Sequence, residues 1–273
     1  MDSDEFYLLA GSAAVTLVLG IRWCVGLLRA VSPQGKWAPG IRLLLGAWPL
    51  ALLLMLGIVL SVGAAREVRE DPPYVALFVA LGAVWLAGIA WGTALLGVSA
   101  RDDAVERNNL AAAVAAAGAL TGGLVVYAFA NFGEGDSIWT TIGPATVASV
   151  SCLALWAVHQ AASGAADAIA IDRDIASGVR FAGMTVGTGF IVGRAVAGDY
   201  ESAAGMLRDL AQQGWPAVLL VALAAFVQYR LKPNRRSPRG VLVAGGLVPA
   251  FAYVALGVLD LIVFGSWASK GTP

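Results

Sequence analysis

The sequence has little charge, because only 13% of its 273 residues are charged, against about 25% in typical soluble domains. It has one histidine, His159, and two cysteines, Cys24 and Cys152, that both lie in apolar stretches. Neither a Cys/His metal cluster nor a disulfide framework is indicated. The residue types therefore predict no metal site and no cofactor.

The chain also lacks a net charge, since 18 lysines and arginines balance 18 acidic residues. No global field favours nucleic acid as a partner. There is no glycine loop for phosphate binding, no carboxylate pair at a catalytic spacing and no soluble domain to hold a substrate. These absences predict a protein that is not an enzyme.

What the sequence does have is apolar surface, with 59% hydrophobic residues and 33 glycines. A spanning helix needs roughly 20 mostly apolar residues, and the lipid bilayer is the solvent that such a composition requires. We predict an all-α polytopic transmembrane bundle of about eight spans, forming one membrane domain over residues 1–273. The predicted spans are 6–28, 41–64, 75–98, 110–132, 142–163, 175–197, 215–230 and 241–264.

Lysine and arginine placement predicts the orientation, because cytoplasmic loops carry the excess of both. With both termini non-cytoplasmic, only five of the 18 cations face the exterior: Arg66, Arg69, Arg194, Arg208 and Lys270. The basic tip after the seventh span then faces the cytoplasm, where it can contact anionic lipid; it contains Arg230, Lys232, Arg235, Arg236 and Arg239. Between the sixth and seventh spans, Asp199 is expected to cap a short amphipathic helix that ends at Gly214.

A pattern of about 65 residues repeats along the chain. Asn109 and Asp174 each follow an acid and an arginine and precede an apolar run, so both are expected to be helix N-caps. Two-helix units of approximately 6–64, 75–132, 142–197 and 215–264 follow, packed as a pseudosymmetric bundle around an axis along the membrane normal. Small residues in two of these units are expected at close helix contacts: Gly118 and Gly122, then Gly183 and Gly187.

The tandem motif, an acid and an arginine before Asn or Asp and then Leu/Ile-Ala-Ala/Ser and a glycine-rich helix, resembles the DUF350 family of small bacterial inner-membrane proteins. The resemblance covers residues 99–132 and 163–197. Typical members have about four spans, so eight is a departure. Members are often encoded near phage-shock-type remodelling proteins, band-7 scaffold proteins or polyamine-ligase-like enzymes, and this association implies envelope maintenance in the bacterial inner membrane.

Ionisable groups inside lipid are costly and are functional candidates by default. His159 and Arg180 fall at similar depths, and with Gln160 and a tip acid such as Asp167 they would form either a proton or anion relay or separately satisfied interfacial groups. Arg194 and Asp260 also match in depth and are expected to form an ion pair, more as a structural clamp than as a gate.

Two further expectations concern four single positions. Arg22, Arg42 and Arg230 lie near cytoplasmic span ends and are expected to extend their guanidinium groups to the headgroups. Pro249 removes a backbone amide and is expected to kink the last span.

Two functional hypotheses follow. The first is a non-enzymatic inner-membrane protein that supports envelope or membrane-stress maintenance as a scaffold, docks a cytoplasmic protein through its tips and self-associates as a homo-oligomer. The alternative is a channel or transporter for a small ion or solute along the pseudosymmetry axis. The scarcity of charge within the spans favours the first.

Overall fold

The computed structural model describes residues 3–31, 39–133, 139–198, 200, 202–233 and 241–265, and within these ranges all regular structure is helical. Seven of the described helices are long and apolar enough to cross a membrane, and the number is eight if α9 and α10, bent by 46°, are taken as one broken span. The prediction of an all-α multi-pass membrane protein is confirmed. The helices are α1 Ser3–Arg29, α2 Pro39–Gly63, α3 Arg66–Glu70, α4 Pro72–Leu95, α5 Leu110–Phe129, α6 Trp139–Ser163, α7 Ala165–Ala170, α8 Ile175–Val196, α9 Ala203–Gln213, α10 Trp215–Leu231 and α11 Val248–Phe264, with π-helical turns at Ala100–Glu106 and Leu242–Leu247.

The long helices form four hairpins that stand in an open row. The second helices of the hairpins pack in the order α2, α5, α8 and α11, and the first helices, α1, α4, α6 and α10, lie behind them. In the described part of the chain α2 and α11 do not pack side by side but flank a groove over α5 and α8. The second helices therefore form an open row along one groove rather than a closed ring, and the predicted axis of pseudosymmetry stays a prediction.

The row follows from the positions of glycine on α8. Gly178 and Gly189 face α5, and a Cβ built on Gly189 would lie 2.6 Å from the Gly122 carbonyl oxygen. Gly183 and Gly187 face α11, and a Cβ on Gly183 would lie 2.5 Å from Ala250 Cα. At 3.6 residues per turn the two faces are about 150° apart around α8. Neighbours on nearly opposite sides of one helix produce a row. A closed ring of four helices requires a smaller angle between the two contact faces.

The hairpin tips repeat in detail at the predicted spacing. Asn108 and Arg173, 65 positions apart, are the non-glycine residues with left-handed backbone among those described, with φ of 50° and 56°. Each precedes an N-cap: Asn109 Oδ1 accepts from the amides of Ala111 and Ala112, and Asp174 Oδ2 accepts from that of Ser177. Both expected caps are present. The helix α9 is present as well, although Ser202 caps it, and Asp199 lies outside the described residues.

Pro49 interrupts the backbone hydrogen bonding of α2, and a side chain of α1 repairs the gap. The Leu45 carbonyl would normally accept from the amide of residue 49, which proline lacks. Instead Trp23 Nε1 donates to Leu45 O at 3.0 Å. An unpaired carbonyl is expensive in lipid, so this bond fixes α1 against α2.

Other indoles join further helix pairs in the same way. Trp48 donates to the Ala117 carbonyl of α5, Trp85 to Ser149 Oγ of α6, and Trp156 to Thr188 Oγ1 of α8. The bonds connect α2 with α5, α4 with α6, and α6 with α8. They supply directional contacts where apolar packing alone would leave helices free to slide.

We predict that Trp23→Phe lowers the free energy of unfolding by about 1–3 kcal/mol, because it leaves the Leu45 carbonyl without a donor. Trp91→Phe is the control, since Trp91 is 69% exposed. Pro49→Ala restores an amide to α2 and should remove most of the loss in the double variant. Denaturant titration in detergent micelles measures the unaltered protein and the four variants, and strictly additive effects of Trp23→Phe and Pro49→Ala would contradict the repair.

Gly189→Ala should destabilise the protein by about 1–3 kcal/mol, because the new methyl group meets the backbone of α5. Gly88→Ala is the matched control, since a Cβ there meets nothing within 4 Å and alanine is the better helix former. Thermal unfolding followed by size-exclusion chromatography compares the two. Equal midpoints would show that the glycine contact is not tight.

Candidate functional site

Arg180 forms the centre of a buried polar cluster that joins α8, α10 and the π-helical turn before α11. Its Nε donates to Gln228 Oε1 at 2.7 Å and its Nη2 donates to Ser177 Oγ at 2.9 Å. The same Nη2 lies 3.6 Å from Asp174 Oδ2. Gln228 Nε2 closes the circuit by donating to Ser177 Oγ at 2.8 Å. A charge this deeply buried persists because acceptors from three segments surround it.

Arg180 also repairs a break caused by proline. Its Nη1 donates to the Gly245 carbonyl, and Pro249, four residues later, has no amide to offer that oxygen. The chain is irregular here, as predicted for Pro249, but the irregularity is the π-helical turn Leu242–Leu247, and Pro249 lies in the first turn of α11. Thus one arginine satisfies both a tip acid and a carbonyl freed by proline.

His159 and Asp167 do not join this cluster. The imidazole is buried, 5.9 Å from the Phe181 ring centroid. Asp167 is exposed on α7, so the acid beside Arg180 is Asp174 instead. Of the two alternatives, the structure therefore does not form the relay, because neither His159 nor Asp167 meets Arg180. The reason is that α7 turns its acid outward, whereas the N-cap position points Asp174 into the first turn of α8.

Arg194 and Asp260 form the expected ion pair near the opposite end of the row, which we call the α9 face. The Arg194 Nε to Asp260 Oδ2 distance is 2.6 Å, and both side chains are buried. Arg194 also donates from Nη1 to Gln213 Oε1 and from Nη2 to the Gln213 carbonyl. It therefore ties α8 to α11 and to the end of α9, an arrangement suited to a clamp rather than to a moving charge.

The predicted close contacts at the four glycines are present. A Cβ on Gly118 or Gly122 would collide with Ala182 or Thr185 of α8, and one on Gly187 would collide with the Tyr253 backbone of α11. Gly183 meets Ala250, as described above. These positions therefore act in packing between repeats.

The described part of the basic tip also has structural partners. Arg230 lies over the Phe226 ring at 5.1 Å, and Lys232 Nζ donates to the Ser163 carbonyl at 3.0 Å, at the end of α6. Arg235, Arg236 and Arg239 lie outside the described residues. Lys232 therefore caps a neighbouring helix in addition to carrying charge.

The expectation for Arg42 is wrong. Its guanidinium donates to the carbonyls of Leu27, Leu28 and Ala30 at the end of α1, and the residue is only 8% exposed. The last carbonyls of a helix have no intrahelical donor, and α2 begins close enough to supply one. Arg22, by contrast, is exposed on α1.

Sequence reasoning missed the neutral partners of these charges, Ser177, Gln228 and Gln213. A usable signal existed for two of them. Ser177 lies three residues before Arg180, on the same face of α8, and Gln228 is a polar residue within the apolar α10. Gln213 gave no signal, because it ends an amphipathic helix with many polar residues.

No cluster of three or more His, Cys, Asp or Glu side chains suited to a metal occurs within the described ranges. No family model, no curated protein and no solved structure matches the chain. The fold defines a multi-pass helical membrane protein. The resemblance to the DUF350 family stays a prediction.

Replacing Arg194 by Met should cost about 3–5 kcal/mol of stability, because it leaves the Asp260 carboxylate buried without its cation. The exposed pair Arg66–Glu70 provides the control, and Arg66→Met should cost less than about 1 kcal/mol. The double variant Arg194→Met, Asp260→Leu should recover much of the loss. Unfolding curves in detergent measure the free energy of unfolding of each variant. Similar losses for Arg194→Met and Arg66→Met would contradict the clamp.

Proposed function

We propose that this protein is a non-enzymatic scaffold of the bacterial inner membrane that supports envelope or membrane-stress maintenance and docks a cytoplasmic partner through its hairpin tips. The observation that carries the proposal is the close packing of three neighbouring helices in the row. α5, α8 and α11 meet backbone to backbone through Gly122, Gly187, Gly189 and Gly257. Contacts this close leave no room for a hydrated path between these three helices.

The engagement of the buried arginines also supports a static role. Arg42, Arg180 and Arg194 each hold carbonyls or side chains from another helix. A conducted ion or a moving gate would need such groups to exchange partners. The fixed hydrogen bonds of these arginines favour a rigid protein that presents its surfaces to a partner.

The tips are the surfaces proposed for docking. Arg101, Asp102 and Arg107 have side chains more than half exposed in the first described tip, and Ile171 is 67% exposed in the second. Mixed charge with an exposed aliphatic side chain suits a protein partner. The excess of lysine and arginine at this end supports a cytoplasmic position for the tips.

Purified protein in liposomes tests the scaffold against a channel or transporter. Vesicles loaded with potassium-, proton- or chloride-sensitive dyes should show the same flux as vesicles without protein. Valinomycin serves as the positive control for potassium and shows that the vesicles report a leak. A reproducible, ion-selective current in the protein vesicles alone would overturn the scaffold and favour transport.

Neutralising the tip arginines tests docking. Changing Arg235, Arg236 and Arg239 to Gln should abolish co-purification of a cytoplasmic partner, since these residues are three of the five cations of the basic tip. The matched control changes Arg66, Arg69 and Arg208, three exposed arginines assigned to the other face. Equal recovery of the partner with both triple variants would contradict docking through the tips.

A further inference from the structure

The end of α1 carries two exposed arginines, Arg22 and Arg29, that both belong to the apolar span Tyr7–Arg29. Neither has a hydrogen bond or an ion pair with a residue that the structure describes. The cations within the other long spans all bond to protein groups: Arg42, Arg180 and Arg194. A charge within a span is costly unless it is paired. The two arginines of α1 therefore require an anion from outside the described chain.

Gly26 lies between the two arginines and forms an open notch. At 3.6 residues per turn, Arg22, Gly26 and Arg29 fall within about 60° of arc on one face of α1. Gly26 is about 6 Å along the helix axis from Arg22 and about 4.5 Å from Arg29. A Cβ built on Gly26 meets nothing within 4 Å. A phosphate group can therefore approach the backbone at Gly26 with an arginine on either side.

Both guanidinium groups can reach this notch. Helical side chains lean toward the N-terminus, so Arg29 covers the turn that contains Gly26. Arg22 lies one turn deeper, and its long side chain brings the charge to the same level when it extends toward the headgroups. The planar guanidinium group presents parallel N–H donors that match the oxygens of a phosphate. The notch is therefore suited to an anionic phosphate group.

The charges of the neighbouring tip do not neutralise the two arginines. The π-helical turn Ala100–Glu106 packs against α1 and contains three acids. These acids pair with arginines of their own tip: Asp103 with Arg107, and both Asp102 and Glu106 with Arg101. The positive charge at the end of α1 therefore remains available to a lipid.

We infer that the notch formed by Arg22, Gly26 and Arg29 binds the phosphate of an anionic phospholipid such as phosphatidylglycerol. Arg22 lies inside a span, so the anion that reaches it belongs to a lipid and is not free in water. Both arginines donate N–H groups to the phosphate oxygens. A zwitterionic phospholipid has the same phosphate but carries its own cation, which competes with the arginines.

Native mass spectrometry of the delipidated protein in detergent micelles tests the site. Phosphatidylglycerol and phosphatidylcholine with identical chains are added in equal amounts, and their different masses identify the lipid that is bound. The starting chain has Arg235, Arg236 and Arg239 changed to Gln, so that these cations of the basic tip do not compete for anionic lipid. We expect the first bound lipid to be phosphatidylglycerol by roughly tenfold, because two arginines contribute to its binding.

Two sets of variants separate the notch from general attraction of charge. Gly26→Leu fills the notch but keeps both arginines, and it should reduce the preference to about twofold or less. Arg22→Gln combined with Arg29→Gln should have the same effect. Gly11→Leu is the matched control and should retain the preference. Gly11 is exposed, lies three turns before Arg22 on the same face of α1, and also has open space at its Cβ.

Equal binding of the two lipids by the starting chain would overturn the inference. A preference that survives Gly26→Leu would also overturn it, because the arginines would then attract anionic lipid without the notch. Neither result depends on the flux or docking experiments.

Discussion

Close backbone approach between α5, α8 and α11 is the constraint on which the rest of the structure depends. Lipid is as apolar as leucine, so burying apolar side chains provides little drive for one helix to meet another. Association then depends on dispersion between surfaces that fit, and on hydrogen bonds that lipid cannot offer. Glycines on two sides of α8 let its surface fit closely against α5 and α11. They also bring the helices near enough for hydrogen bonds to form between them.

Hydrogen bonds across helices concentrate where the backbone has lost a donor. Pro49 and Pro249 each leave a carbonyl four residues earlier without its amide, and Trp23 and Arg180 supply the missing donors. Arg42 and Lys232 do the same at the ends of α1 and α6. In water such groups would be hydrated at little cost. In a bilayer each unpaired carbonyl costs several kcal/mol, so every break in a helix becomes an attachment point for a neighbour.

Much of this architecture could be predicted from the residues alone. Hydropathy located the spans to within a few residues, because long apolar runs have one stable arrangement in lipid. Asn109 and Asp174 were recognisable as caps, since capping depends on local sequence, and Arg194 with Asp260 was recognisable from matching depth. The open row was not predictable, because the angle between two glycine faces matters only once their partners are known. Arg42 was misjudged for a related reason: its distance from a span end was visible, but the neighbouring carbonyls were not.

The row of hairpins has a consequence for how the chain is made. Each hairpin contacts mainly the one before it and the one after it, so a newly synthesised pair of helices meets its docking surface already in the membrane. The tightest junction, between α5 and α8, forms midway through synthesis. The hairpin of α10 and α11 then packs against the hairpins that are already in the membrane. Val248 and Ala252 occupy the positions on α11 that Gly183 and Gly187 hold on α8. A further helix could therefore not approach this edge of α11 as closely as α11 approaches α8.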